Sequence, residues 1–308
     1  MKRIPEALIL LALVFILPSC GESKNKGFGG KYASLHSGTF TVHCEESLSE
    51  VMDRVFVMYD SVYTDANQTI KLSTARTGME HLLAGETDIF ISAREYLKDE
   101  DSLMKAYKVE PHVIMNIAED ALVFYTRNDF PYDTVYAEDL KVLMKDGTKK
   151  YKDYYPAVGS EPEFVITDHY SSEYANLKEL VAEGETLKRP LKTFANIDLV
   201  RNYVRENKNK IGVGYLAQII HDNTLKPLMI SFLDSTGRYR YPHAVHQTNI
   251  LRRYYPYIVT YRAYMLEDLR QTAWWFGKFV SEEKYITRHY LDYGIVPVYA
   301  KFKLIEED

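Results

Sequence analysis

The chain has 308 residues, enough for two domains or one large one with an ample core. Its net charge of −5 and lack of a basic stripe argue against nucleic acid as a partner. Composition is ordinary for a globular protein, except for 26 tyrosines.

Met1-Lys2-Arg3 is a charged start, followed by an apolar run from Ala7 to Leu17 and then Pro18-Ser19-Cys20. That run is shorter than the roughly 20 residues a spanning helix needs, so it reads as an export signal. The ending Leu17-Pro-Ser-Cys20 resembles a bacterial lipobox, in which Cys20 becomes the lipidated first residue of the mature protein. An ordinary signal peptide with an unconnected cysteine is the other reading. The expectation is therefore a protein held to a membrane through Cys20 and facing the periplasm. Gly21 follows the cysteine where some inner-membrane lipoproteins carry Asp, which leans outward without deciding the membrane. Residues 21–37 are rich in Gly, Lys and Ser and read as a flexible tether. After processing, Cys44 is the one thiol left, so no internal disulfide is expected.

From Gly38 the pattern becomes regular. Thr39 to His43 alternates as a strand, and a helix is predicted from Ser47, with Ser47 and Glu50 as a capping box. Ile70 to Ser73 is a second strand. Thr77 and Glu80 form another capping box, placing a helix start at Gly78, and Gly85 falls where a left-handed C-cap belongs. Asp88 to Ser92 is a short buried strand with a polar end at Ser92 and Arg94. An exposed helix to about Lys108 follows, then apolar runs at Val113–Asn116 and Ala121–Thr126. Tyr136 to Met144 is helical, a Tyr-rich loop runs to Glu163, and Phe164 to Thr167 is a strand. Helices are predicted over Glu173–Ala182 and Asn196–Asn207, and strands over Lys210–Leu216, Met229–Leu233 and Tyr257–Tyr261. Glu267 to Tyr290 carries one long helical pattern, and Gly294 to Val298 closes the chain's regular part. Strands alternate with helices throughout, so the class is α/β with mainly parallel sheets.

Three loops share one design, a strand followed by a polar turn and a helix N-terminus: Cys44–Ser47, Thr74–Thr77 and Asp168–Ser172. Helix N-termini present unpaired N–H groups and partial positive charge, which suits an oxyanion without any catalytic group. Taken singly, each loop is accounted for by a plain helix cap. Three at strand carboxyl ends match the place where open α/β sheets bind ligands. Catalytic and nucleotide motifs are absent, the nine histidines are scattered, and neither a metal nor a cofactor is expected. Neighbouring Glu45 and Glu46 read most simply as favourable dipole partners of a helix start.

The order of these pieces resembles the substrate-binding lipoproteins of ABC importers, in the phosphate-binding (PstS-like) branch of the periplasmic binding proteins. The similar segments are Gly38–Val42, Thr77-Gly78 with Leu82–Leu97, Ala121–Tyr125, Ala137–Leu140, Lys210–Leu216, Tyr257–Tyr261, Phe279–Glu283 and Gly294–Val298. The resemblance implies a two-lobed periplasmic-binding-protein fold of type 2, with lobe 1 over 38–122 and 245–308 and lobe 2 over 123–244. It implies no enzymatic activity, a phosphate-like oxyanion clamped in the cleft, and an ABC permease as partner. It assigns the ligand to Glu46, Ser47, Arg76, Thr77, Ser92, Arg94, Ser171 and Ser172. Ser47, Thr77, Ser92, Ser171 and Ser172 would donate hydrogen bonds, and Arg76 and Arg94 would bring positive charge. The chain departs from the family at Arg76, in place of Gly, at Ala93, in place of Asp, and at Asp168, in place of Arg. Glu45, Glu46, Asp168 and Glu173 put carboxylates beside loops meant for a dianion. A second expectation follows from that charge: a scaffold that no longer binds phosphate and serves envelope interaction or sensing. Tyr151–Tyr155 and Arg252–Tyr257 would be its contact segments, unless those tyrosines pack against the lobes.

Overall fold

The computed structural model describes residues 37–266 and 272–300. The export signal, Cys20 and all of the tether but Ser37 lie outside the described residues.

Alternating apolar residues build β1 (Gly38–Glu45), which leads through a 3₁₀ turn at Glu46–Leu48 into α1 (Ser49–Val62). There follow β2 (Ala66–Ser73), α2 (Ala75–Leu83), β3 (Ile89–Ser92), α3 (Lys98–Tyr107) and β4 (Val113–Arg127). The middle of the chain forms β5 (Thr134–Tyr136), α4 (Ala137–Lys145), α5 (Tyr151–Tyr154) and β6 (Glu163–Thr167). Next comes α6 (Ser172–Asn176), which runs on as a π turn over Leu177–Val181, then β7 (Leu191–Phe194) and α7 (Ile197–Glu206). They lead to β8 (Lys210–Tyr215), α8 (Leu216–Ile219), β9 (Leu225–Pro227), β10 (Met229–Leu233), β11 (Tyr239–Arg240) and α9 (Gln247–Leu251). The chain closes with β12 (Ile258–Met265), α10 (Thr272–Glu282), α11 (Lys284–Asp292) and β13 (Val296–Pro297).

One curled sheet runs through both lobes in the order β2-β1-β3-β12-β4-β8-β6-β7. Pairing is parallel among β2, β1 and β3 in the first lobe and among β8, β6 and β7 in the second. The two central strands are antiparallel to their neighbours and join the lobes. Strand β4 pairs with β12 up to Ala121↔Ile258 and with β8 from Leu122↔Tyr215, so it passes from one lobe to the other at that point.

The first lobe is held by the apolar stripe of α1. Met52, Val55 and Tyr59 face Phe40 and Val42 of β1, and Phe276 of α10 packs its ring 4.8 Å from that of Tyr59. Each such buried side chain contributes roughly 1.5–3 kcal/mol. Helix α2 lies so close to β3 that a Cβ on Gly78 would stand 2.2 Å from the Phe90 ring. Gly85 takes φ +71° and turns the chain from α2 into β3, as its C-cap pattern predicts.

Several local expectations differ from what forms. The runs at 113–116 and 121–126 are one 15-residue strand, β4, which carries the polar Glu119 and Asp120 in its middle. Helix α2 starts at Ala75 rather than Gly78: Thr74 is the cap, accepting from Thr77 N at 3.3 Å. Ser47 does not cap α1; its hydroxyl is used elsewhere, as described below. The long pattern near the end is two helices, parted at Glu283. Tyr151, Tyr155, Tyr255 and Tyr257 of the tyrosine-rich segments are buried, whereas Tyr154 is exposed and Tyr254 half-buried.

Candidate functional site

The three polar loops meet where the lobes face each other. Glu45, at the end of β1, is 1 % exposed, and its carboxylate reaches from the first lobe into the second. Oε2 accepts from Ser92 Oγ at 2.8 Å and from Ala93 N at 3.2 Å, both at the end of β3. Oε1 accepts from Ser172 N at 2.8 Å, the first amide of α6 in the other lobe. These donors are of the kind expected to hold an oxyanion: a hydroxyl and backbone N–H groups, one at a helix start. The oxyanion they hold is a side chain of the protein itself.

A second carboxylate crosses in the opposite sense. Glu173, on α6, is fully buried; its Oε2 accepts from Ser47 Oγ of the first lobe at 2.7 Å. Its Oε1 accepts from Gln218 Nε2 at 2.9 Å, and the same amide donates to the Ser47 carbonyl at 3.0 Å. Among the described residues neither Glu45 nor Glu173 takes part in an ion pair. Burial, and then the neighbouring Glu45, push the Glu173 carboxyl up to about 7. Hydrogen bonds from Gln218 and Ser47 offset part of that rise.

The arginines are engaged away from this junction. Arg94 is 2 % exposed and forks onto Glu100, itself 1 % exposed, at 2.7 and 2.8 Å, while also donating to the Ala75 carbonyl. Arg76 pairs with Asp99, Glu100 and Glu80 at 2.7–3.1 Å. Their charges are thus compensated by acids of α2 and α3.

Beside the Glu45 junction lies a cavity of about 240 Å³, lined among others by Glu46, Ser47, Thr74, Asp168, Ser171 and Asp198. Glu46 is exposed to it, and its carboxyl is raised by partial burial and by Asp168 and Glu45. Arg76 N donates to the Tyr170 carbonyl at 3.0 Å, so the second and third loops also touch across the cleft.

Of the eight expected ligand residues, Ser92 and Ser172 lie on Glu45 and Ser47 lies on Glu173. Ser172 Oγ faces Tyr215 Oη at 2.6 Å. Ser171 caps α6 and lines the cavity with Glu46. Thr77 is exposed in the first turn of α2, and Arg76 and Arg94 face acids. Gln218, Tyr215 and Glu100 complete the site, and none had a local sequence signal: Gln218 and Tyr215 meet partners far away in the chain, and Glu100 meets Arg94 across a spacing of six that no local pattern marks.

The strands that join the lobes contain a fourth buried acid. Asp120 of β4 accepts from Tyr261 Oη of β12 at 2.5 Å and from Ala217 N of α8 at 3.3 Å. Burial pushes its carboxyl up to about 7 despite those donors. No group of His, Cys, Asp and Glu suited to a metal ion occurs among the described residues.

A family model described as a PBP superfamily domain matches residues 32–283. No protein of curated function matches the sequence. The fold is similar to a Clostridium perfringens protein with bound phosphate, described as a phosphate ABC transporter substrate-binding protein. That match has a TM-score of 0.67 at 16 % identity, covering 85 % of this chain and 100 % of that one. An ABC-type phosphate transport receptor from Vibrio cholerae gives 0.63 at 16 %, covering 84 % and 100 %. The CcmR regulatory domain from Synechocystis gives 0.54 at 10 %, covering 79 % and 95 %.

Proposed function

Because the chain belongs to the PBP superfamily, we propose that it is a lipid-anchored, extracytoplasmic solute-binding protein for a phosphate-class oxyanion, serving ABC-type import. One convergence supports this: Ser92 Oγ and Ala93 N from one lobe and Ser172 N from the other meet on a single carboxylate. Donors from both sides of a cleft, aimed at one set of acceptor oxygens, are what two lobes need to close on an oxyanion. The seat is occupied by Glu45, so a solute enters in competition with it. Charge sharpens the choice of solute. Glu46 and Asp168 each disfavour a further anion by about 1–4 kcal/mol at intermediate effective dielectric, as does Glu173 when ionised, and Arg76 and Arg94 are already paired. A singly charged oxyanion therefore fits better than a dianion. Lipid anchoring rests on Leu17-Pro-Ser-Cys20, and the permease partner on the likeness to import receptors.

Calorimetry with inorganic phosphate tests the reading. Weak binding by the natural protein and tighter binding by Glu45→Ala is the expected result. No heat from either protein at millimolar phosphate would overturn it. That outcome would favour the second reading, an envelope interaction or sensing protein whose seat is filled permanently from within. The occupied seat supports that reading, as does the occurrence of this fold in a regulatory domain.

A further inference from the structure

Resting on the reading of the cleft as a solute site, we propose that Glu45 and Glu173 form a reciprocal, proton-operated latch that closes the two lobes in the absence of solute. Each carboxylate belongs to one lobe and takes a hydrogen bond from the other. Glu45 of the first lobe accepts from Ser172 N of the second, and Glu173 of the second accepts from Ser47 Oγ of the first. Gln218, from the second lobe, ties Glu173 to the Ser47 carbonyl. Opening the lobes breaks the three cross-lobe bonds together, Ser172 N to Glu45, Ser47 Oγ to Glu173 and Gln218 to the Ser47 carbonyl, and leaves Gln218 on Glu173 within the second lobe.

Among the described residues no cation pairs with either carboxylate. From the first loop, Glu46 and the Cys44 thiol face the pair, and from the loop before α6, Asp168 does. From β8, β4 and β12 come the hydroxyls of Tyr215, Tyr125 and Tyr261, the last bonded to Asp120. From α7 comes Arg201, which is bound to Glu50, Asp198 and the Gln218 carbonyl. Two ionised carboxylates brought together in this dry junction repel, and one proton relieves the repulsion. When the lobes part, water solvates Glu173, the burial that raised its carboxyl is lifted, and it gives up its proton at neutral pH. Closure therefore takes up a proton from solvent and opening returns it. The burial that pushes Glu173 up to about 7 marks it as the proton's seat. A protonated Glu173 keeps its 2.7 Å contact with Ser47, because the hydroxyl can accept as readily as donate.

An oxyanion that takes the Ser92, Ala93 and Ser172 donors expels Glu45 and replaces the latch with itself. The empty protein is then shut at acidic pH and receptive at alkaline pH.

Small-angle X-ray scattering of the full chain, without phosphate, between pH 5.5 and 8.5 tests the latch. The natural protein is expected to expand as the pH rises from 5.5 through about 7, the window over which the closed form loses the Glu173 proton, and to change little above it. Glu173→Gln is expected to stay compact throughout, and Glu45→Ala to stay expanded throughout. Ser47→Ala, which removes a single cross-lobe bond, should move the midpoint to lower pH. Circular dichroism confirms that each variant is folded. Identical scattering of the natural protein at both ends of the range overturns the latch, as does a Glu45→Ala protein as compact as the natural one. Because phosphate is absent, these outcomes are independent of the calorimetric test of the solute.

Discussion

The backbone N–H of Ser172 donates to Oε1 of Glu45 at 2.8 Å, joining residues 127 positions apart and on opposite lobes. With it, the end of β1 and the start of α6 behave as receptor and ligand within one chain. The donors around Glu45 are therefore structural groups, and in the proposed solute-binding role they are recognition groups as well.

Ser92→Ala tests that dual role. It removes the 2.8 Å hydroxyl donor to Glu45 and leaves a buried carboxylate oxygen with the Ala93 amide alone. The expected loss is about 1–3 kcal/mol in urea unfolding. Thr77→Ala serves as the contrast: that hydroxyl is exposed in the first turn of α2, and its removal should change stability by less than about 0.5 kcal/mol. Equal losses in the two variants would contradict the placement of Ser92 at the seat.

Arg94 and Glu100 make a different prediction. Both are buried, and the guanidinium forks onto the carboxylate at 2.7 and 2.8 Å. Glu100→Gln leaves an uncompensated buried charge and should cost about 3–5 kcal/mol. Asp99→Asn, on the half-open side of Arg76, should cost less than about 1 kcal/mol. Chemical denaturation of both variants measures the difference, and comparable costs would mean that Arg94 draws its compensation elsewhere.

Gly78→Ala sets helix propensity against packing. In the interior of α2, alanine is favoured over glycine by about 1 kcal/mol. Its Cβ would stand 2.2 Å from Phe90 Cε2 and 2.8 Å from Ser73 Oγ, and Phe90 is itself stacked on Tyr264. Overpacking at that contact costs about 1–3 kcal/mol, so a net lowering of the melting temperature is expected. An unchanged or raised value would place α2 farther from β3 than described.

Much of the scaffold could be read from local pattern, because β1, β3, β6, β8 and α1 each carry their own periodicity. Strand β4 was broken in two by Glu119 and Asp120, since a buried acid in a strand signals a loop unless its partners are known. Those partners, Tyr261 and Ala217, lie far along the chain. Thr77 with Glu80 reads as the cap of α2, but β2 ends at Ser73 and the helix starts three residues earlier, with Thr74 as its cap. The loops of the cleft were visible as helix starts. Their occupation by Glu45 and Glu173 was not, because a carboxylate beside an anion loop looks like repulsion until its own oxygens are found on the donors. Arg76 and Arg94 looked like ligand charges for the same reason: Glu100 sits six residues beyond Arg94 with no pattern linking them.

The proton on Glu173 gives the last prediction its sign. Its carboxyl rises from an ordinary 4.5 to about 7 in the folded protein, first through burial and then through Glu45. Below 4.5, folded and unfolded chains both carry the proton, and the residue adds no pH dependence. Between 4.5 and about 7 the unfolded chain gives up its proton first, so stability falls as pH rises. Above 7 a closed cleft holds a buried charge, so the accumulated penalty reaches about 3 kcal/mol at most and is smaller where the lobes part and water solvates it. Glu173→Gln, which cannot ionise, should lack this slope. The difference in unfolding free energy between the variant and the natural protein should therefore grow with pH from 4.5, by up to about 3 kcal/mol, and flatten by pH 8. A difference that stays constant with pH would mean that Glu173 keeps the same proton affinity folded and unfolded, and that the closed cleft stores none.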